Sequence, residues 1–196
     1  MIPKSFIFLF IILGMSLTSC NGDKKNVVNQ NQTEESIDED DGIRKPIVNN
    51  IFSKIEATSE LTLMGNILDS LQLKDELIFE EGPFTIFAVK DEVFNSFLKR
   101  DSLFSAISED KEEWKNIMTT YILDEQISSV KIFQNIKKNG GVFHAETSSG
   151  KHLKFYLIEN DIIVEGPKGL ISKIGKSDIL GANGVIHIID NLIGSH

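Results

Sequence analysis

The segment Asn183-Gly184-Val185-Ile186-His187-Ile188-Ile189-Asp190 constrains the fold of this chain more than any other. Asn-Gly tolerates positive φ and suits a tight reversal into a strand. Val185, Ile186, Ile188 and Ile189 are β-branched, which fits a pleated, half-buried surface. His187 is the polar residue among them, so it must find a hydrogen-bond partner or point outward.

Strand-like runs cluster in the second half. Val142 to Glu146, His152 to Ile158 and Ile162 to Glu165 are separated by Ser148-Ser149-Gly150 and Asn160-Asp161, both turn chemistry, and read as a β-meander. Leu170 to Ile174 and Val185 to Ile189 add two more strands. The first half has helical spacing instead. Ile51, Phe52 and Ile55 form a short stripe, and Leu61, Met64, Leu68 and Leu71 recur as one helix face. Gly82-Pro83 marks a turn before an apolar strand, Phe84 to Val89. Asp91 is expected to cap a helix burying Val93, Phe94, Phe97 and Leu98. Asp110 with Glu113 forms a capping-box pattern opening a helix that presents Trp114, Ile117, Met118 and Tyr121. Early helices and late antiparallel strands imply an α+β domain: helices packed on an antiparallel β-sandwich or wedge.

The N-terminus has a different character. Met1 to Cys20 carries Lys4, then the apolar run Phe6 to Leu13, too short to span a bilayer but fitting a signal-peptide core. Leu17-Thr18-Ser19-Cys20 resembles a bacterial lipobox, which implies lipidation of Cys20 after removal of residues 1–19. An ordinary secretory signal is the alternative. Acyl chains contribute about 0.8 kcal/mol per buried methylene, so several chains anchor stably. Cys20 is the sole cysteine. The mature domain therefore has no disulfide, cysteine nucleophile or thiolate metal site, and its stability must come from an apolar core. Residues 20–45 are polar and acid-rich, with the run Glu34 to Asp41, and read as a disordered tether. The run lacks the alternating ligands and central glycine of an EF-hand loop. An export signal is its alternative reading; a solvated spacer leads. Residues 46–196 form a single domain beginning at Pro46 and Ile47.

Chemistry-bearing patterns are sparse. His144, His152, His187 and His196 show no metalloprotease spacing and no neighbouring Cys or Glu in ligand spacing. His144 and His152 could face each other across the Ser148-Ser149-Gly150 hairpin as a two-histidine site; a solvated pair is the simpler reading. There is no nucleophile elbow or phosphate-cradling loop. His187 and Asp190, three apart on a strand, point to opposite faces, which argues against a dyad. No cofactor and no metal is called for. Net charge is −9 with scattered lysines, so a polyanion such as nucleic acid is repelled.

The segment from Asn183 to Asp190 resembles the second signature of the fasciclin domain, a module of adhesion and matrix proteins. Thr85-Ile86-Phe87-Ala88-Val89, followed by Asp91 to Phe97, is similar to the first signature, at the family's order and spacing. The resemblance covers roughly Pro46 to Ser195 and implies the same α+β fold. It also implies that Thr85, Phe87, Asp91, Asn183, Gly184, His187 and Asp190 hold the fold. Family members usually read Phe-Ala-Pro-Thr-Asn where this chain has Phe87-Ala88-Val89-Lys90-Asp91. A Tyr-His pair implicated in adhesion by some animal members is here Tyr121-Ile122. The absent histidine counts against adhesion of the animal type; Tyr121 is thus read first as a packing residue, with adhesion contact as the secondary candidate.

Together these features suggest a non-catalytic module, lipid-tethered to a bacterial envelope, in the outer membrane. It would bind extracellular or envelope protein or glycan through loops or a sheet face. The alternative is an envelope enzyme or small-ligand carrier with a pocket at the helix–sheet junction.

Overall fold

In the computed structural model the described residues are 44–97 and 100–194. The leader 1–19, Cys20, nearly all of the tether, Leu98 and His196 lie outside them. The first helix, α1 (Ile51–Glu56), begins where Asn50 turns its side chain back to accept from Ser53 N at 2.8 Å. Such a cap answers one of the orphan donors of a helix start. Ile51, Phe52 and Ile55 then fall on its buried side. The periodic stretch after it is not one helix: a 3₁₀ turn, Ser59–Leu61, precedes α2 (Thr62–Ser70), and Leu71 closes it. All of Leu61, Met64, Leu68 and Leu71 are nonetheless buried, because the apolar spacing survives the break.

Helix α3 (Lys74–Phe79), absent from the sequence reading, leads to β1 (Phe84–Val89), buried on both faces. Helix α4 (Asp91–Phe97) corrects two expectations. Asp91 does not cap it; its carboxylate accepts from Leu63 N at 2.8 Å and so caps α2 instead. Phe97 is 56% exposed and Val93 is only partly buried, leaving Phe94 as the helix's core anchor. Helix α5 (Arg100–Glu109) follows, then α6 (Lys111–Met118), where Asp110 accepts from Glu113 N at 3.0 Å. A second 3₁₀ turn, Thr119–Tyr121, delivers the chain to β2 (Ile122–Leu123), and α7 (Ser129–Lys138) is capped by Ser128.

The remaining strands are β3 (Val142–Glu146), β4 (His152–Ile158), β5 (Asp161–Glu165), β6 (Ile171–Lys173), β7 (Ile179–Gly181) and β8 (Gly184–Ile189). They form two four-stranded sheets, ordered β2-β1-β8-β7 and β3-β4-β5-β6. The second sheet is the antiparallel meander expected. In the first, β1 and β8 run parallel, in register from Phe84↔Gly184 to Val89↔Ile189, so that sheet is mixed. Parallel neighbours need a long crossover, and here most of the domain, from α4 to β7, supplies it.

The sheets meet through Phe87 and Phe155, whose rings lie 5.5 Å apart, with Phe143 stacked on Phe155 at 5.6 Å. Leu153, Phe155 and Val164 line the inner face of the second sheet and are fully buried. Each such side chain stabilises the fold by about 1.5–3 kcal/mol relative to exposure.

Candidate functional site

The segments around β1 and β8 carry polar side chains whose partners lie inside the fold. Asn183 holds three elements together. Its Oδ1 accepts from Ile51 N at 2.7 Å, and its Nδ2 donates to Leu77 O and Glu80 O, both at 2.9 Å. Gly184 follows because nothing larger fits: a Cβ there would lie 2.4 Å from Phe84 O. Thr85 on β1 and His187 on β8 clamp one loop. Thr85 Oγ1 donates to Glu125 O and accepts from Ile127 N, while His187 Nε2 lies 2.8 Å from Ile127 O. A carbonyl only accepts, so Nε2 carries the proton and Nδ1 accepts from Asp178 N at 3.4 Å. His187 is 0% exposed and stacks on Phe87 at 5.6 Å. Burial pushes its pKa down, against the opposing pull of Ile127 O and Asp178.

A serine and an aspartate stand close to this histidine, yet their wiring is not that of a nucleophile and base. Asp178 uses its carboxylate on Ser129 N at 2.9 Å and on the Ser129 hydroxyl. Burial raises the Asp178 pKa, but the Ser129 bonds and the neighbouring His187 outweigh it and leave it lowered. His187 in turn gives its proton to a main-chain carbonyl rather than receiving one from a hydroxyl. The trio fastens the start of α7 to the loop before β7. Neither Ser129 nor Asp178 stands out in the sequence, since nothing in their spacing to His187 marks them.

Asp190 accepts from Ser172 Oγ and Lys173 N, both at 2.9 Å, and ties β6 to the end of β8. Tyr121, the adhesion candidate, is 1% exposed. Its hydroxyl accepts from Ile193 N and Gly194 N and donates to Gly194 O. Burial pushes its pKa up to about 12. A side chain so enclosed offers no surface to a partner, so Tyr121 is the packing residue of its leading reading and the secondary adhesion candidate falls.

Exposed chemistry gathers elsewhere, on the outer face of the second sheet. Strand register places Val142, Tyr156, Ile163 and Lys173 in one row across β3, β4, β5 and β6. The next row is His144, Lys154, Glu165 and Ile171, and Ile158 stands opposite Asp161. Val142, Tyr156, Ile158 and Ile171 thus leave an apolar band on this face, while Ile163, in the row of Val142 and Tyr156, is buried. Ile158 and Ile171 are 49% and 47% exposed. Two ion pairs bracket the band: Lys154–Glu165 at 2.9 Å and Lys173–Asp161 at 2.8 Å. His144 and His152 occupy the same face, but His144 pairs with Lys154 and His152 with Glu146, so the two are diagonal rather than opposed.

Residues 59–195 match the family model for the fasciclin domain. This chain belongs to the fasciclin family. Its fold is also similar to part of a FAS1 domain pair from the insect cell adhesion molecule fasciclin I, with a TM-score of 0.65 at 14% identity. That likeness covers 76% of this chain and 51% of the other, so the chain spans about half of its structural neighbour. No curated protein sequence matches it.

Hollows also mark the described surface of this fasciclin domain, and two of them are lined by acidic side chains. One, about 140 Å³, lies among α1, α2 and α3 and is lined by Phe52, Glu56, Gly65, Asp69 and Lys74. The other, about 460 Å³, is an open cleft lined by Glu76, Glu80, Glu81, Pro83 and Asp124. There burial, then the charge of Asp124, raises the pKa of Glu76. Among the described residues no three His, Cys, Asp or Glu side chains are grouped to hold a metal ion.

Proposed function

We propose that this fasciclin domain is a non-catalytic binding module of the bacterial envelope. It is lipid-anchored through Cys20, and it adheres to extracellular or envelope protein or glycan by the outer face of its second sheet. The observation that carries the reading is the apolar band through Tyr156, flanked by the Lys154–Glu165 and Lys173–Asp161 pairs. An apolar centre with a polar rim is the anatomy of a protein-recognition surface. The family's own polar signature supports it from the other side, since Thr85, Asn183 and His187 are engaged within the fold.

The test is capture by the full chain from host-matrix, glycan and envelope fractions. Tyr156→Ala and Ile171→Asp should each abolish capture while leaving the melting temperature near that of the parent. Capture undiminished in both variants would remove the sheet face from consideration. Cys20→Ala should release the protein from membranes and eliminate incorporation of a labelled fatty acid; retention of the label would refute the anchor. The cleft beneath Glu76 favours a second reading, a small-ligand carrier, which a co-purifying molecule displaced by Glu76→Ala would establish.

A further inference from the structure

The chain contains three Asn-Gly pairs, at Asn21, Asn139 and Asn183, the first outside the described residues. We propose that Asn139 is a site of spontaneous deamidation that alters the turn between α7 and β3, and that the fold protects the chemically identical pair at Asn183.

The reaction needs no partner. The main-chain nitrogen of Gly140 loses its proton and bonds to Cγ of Asn139, the Cγ–Nδ2 bond breaks, and Nδ2 leaves with a proton as ammonia. Water then opens the cyclic imide at either carbonyl, giving aspartate or isoaspartate. Three things must be available: a free amide side chain, an unengaged following N–H, and room for the backbone to rotate. Asn139 is exposed at the C-terminus of α7, with φ −97° and ψ 26°. Its own N–H bonds Asn135 O and that of Gly141 bonds Ile136 O, but among the described residues no acceptor meets the Gly140 N–H between them. Gly140 is at φ +72°, and neither it nor Gly141 has any atom within 4 Å of a built Cβ. The turn can therefore swing into the cyclising geometry without displacing a neighbour.

Asn183 lacks the first and the last of these. Both ends of its amide are bonded, it is 3% exposed, and Gly184 is wedged against Phe84 O. Cyclisation there requires the α1–α3–β8 junction to open first, and the population of that open state limits the rate.

The products alter the turn that leads into β3, the first strand of the face proposed for binding. Aspartate at position 139 puts a negative charge at the negative end of the α7 dipole, an unfavourable placement. Isoaspartate inserts an extra main-chain carbon just before Val142, the first residue of the outer-face band on β3.

The full chain is incubated in warm, mildly alkaline buffer, and tryptic peptides are followed by mass spectrometry and enzymatic isoaspartate methylation. Folded protein should convert at Asn139 at least roughly tenfold faster than at Asn183, and in urea the two rates should converge. Asn139→Gln should remove the isoaspartate signal from that peptide with the melting temperature retained. Equal rates at the two sites in the folded chain would overturn the proposal. So would an unchanged ratio in urea, which would mean that sequence context rather than structure sets the difference.

Discussion

Replacing Asn183 tests most directly how the second signature holds the domain together. Alanine at 183 strands the N–H of Ile51, the carbonyl of Leu77 and the partly buried carbonyl of Glu80. An unsatisfied buried polar group costs about 1–3 kcal/mol, so the two fully buried partners alone give about 2–6 kcal/mol. In a domain of this size each kcal/mol shifts the melting temperature by about 2–4 °C, so a loss near 4 kcal/mol lowers it by about 8–16 °C. The isosteric variant Asn183→Asp sharpens the test. Its carboxylate still accepts from Ile51 N, but the second oxygen confronts the carbonyls of Leu77 and Glu80. It should be at least as destabilised as the alanine variant at neutral pH, and should regain part of the loss when acid protonates the carboxyl and restores a donor. Urea melts at neutral and mildly acidic pH measure both effects, with m-values reporting whether the folded state is unchanged in extent. A loss below about 1 kcal/mol in both variants would refute the inference that this side chain ties α1, α3 and β8 together.

Other predictions follow from the same network. His187 has its pKa lowered by burial, so between its folded value and the ordinary value of about 6.5 the unfolded chain binds the extra proton. Its contribution is therefore complete above about pH 6.5 and falls as pH drops through the folded value; acid unfolding of His187→Gln should lack that slope. His187→Ala should lower stability by about 1–3 kcal/mol, and an unchanged melting temperature would contradict the bonds to Ile127 and Asp178. Tyr121→Phe strands Ile193 N and Gly194 N and should cost about 1–3 kcal/mol by chemical denaturation. With the folded pKa raised to about 12, wild-type stability should also fall as pH rises above 10, a decline the phenylalanine variant lacks. Asp91→Ala should lower stability by roughly 1 kcal/mol by uncapping α2, and hydrogen exchange should quicken at Leu63 rather than at the start of α4.

Much of this domain was legible in the order of its side chains. The alternation in β3, β4 and β5, the turn pairs between them and the capping pattern at Asp110 are local, and local propensity and burial agree there. The resemblance of the two signature segments also marked the correct strands. What local pattern could not reveal was which elements those residues would meet. Asp91 precedes α4 in sequence yet caps α2, because the packing of α2 against α4 brings Leu63 N to its carboxylate. Tyr121 sits where the family carries an adhesive pair, yet its hydroxyl is closed over by Ile193 and Gly194, more than seventy residues away in sequence. The outer band through Tyr156 exists only once strand register aligns four strands, and the parallel pairing of β1 with β8 requires nearly the whole chain to return upon itself. Sequence sets periodicity and turn chemistry, which act over a few residues; hydrogen bonds between distant segments are decided by how the buried faces close on one another.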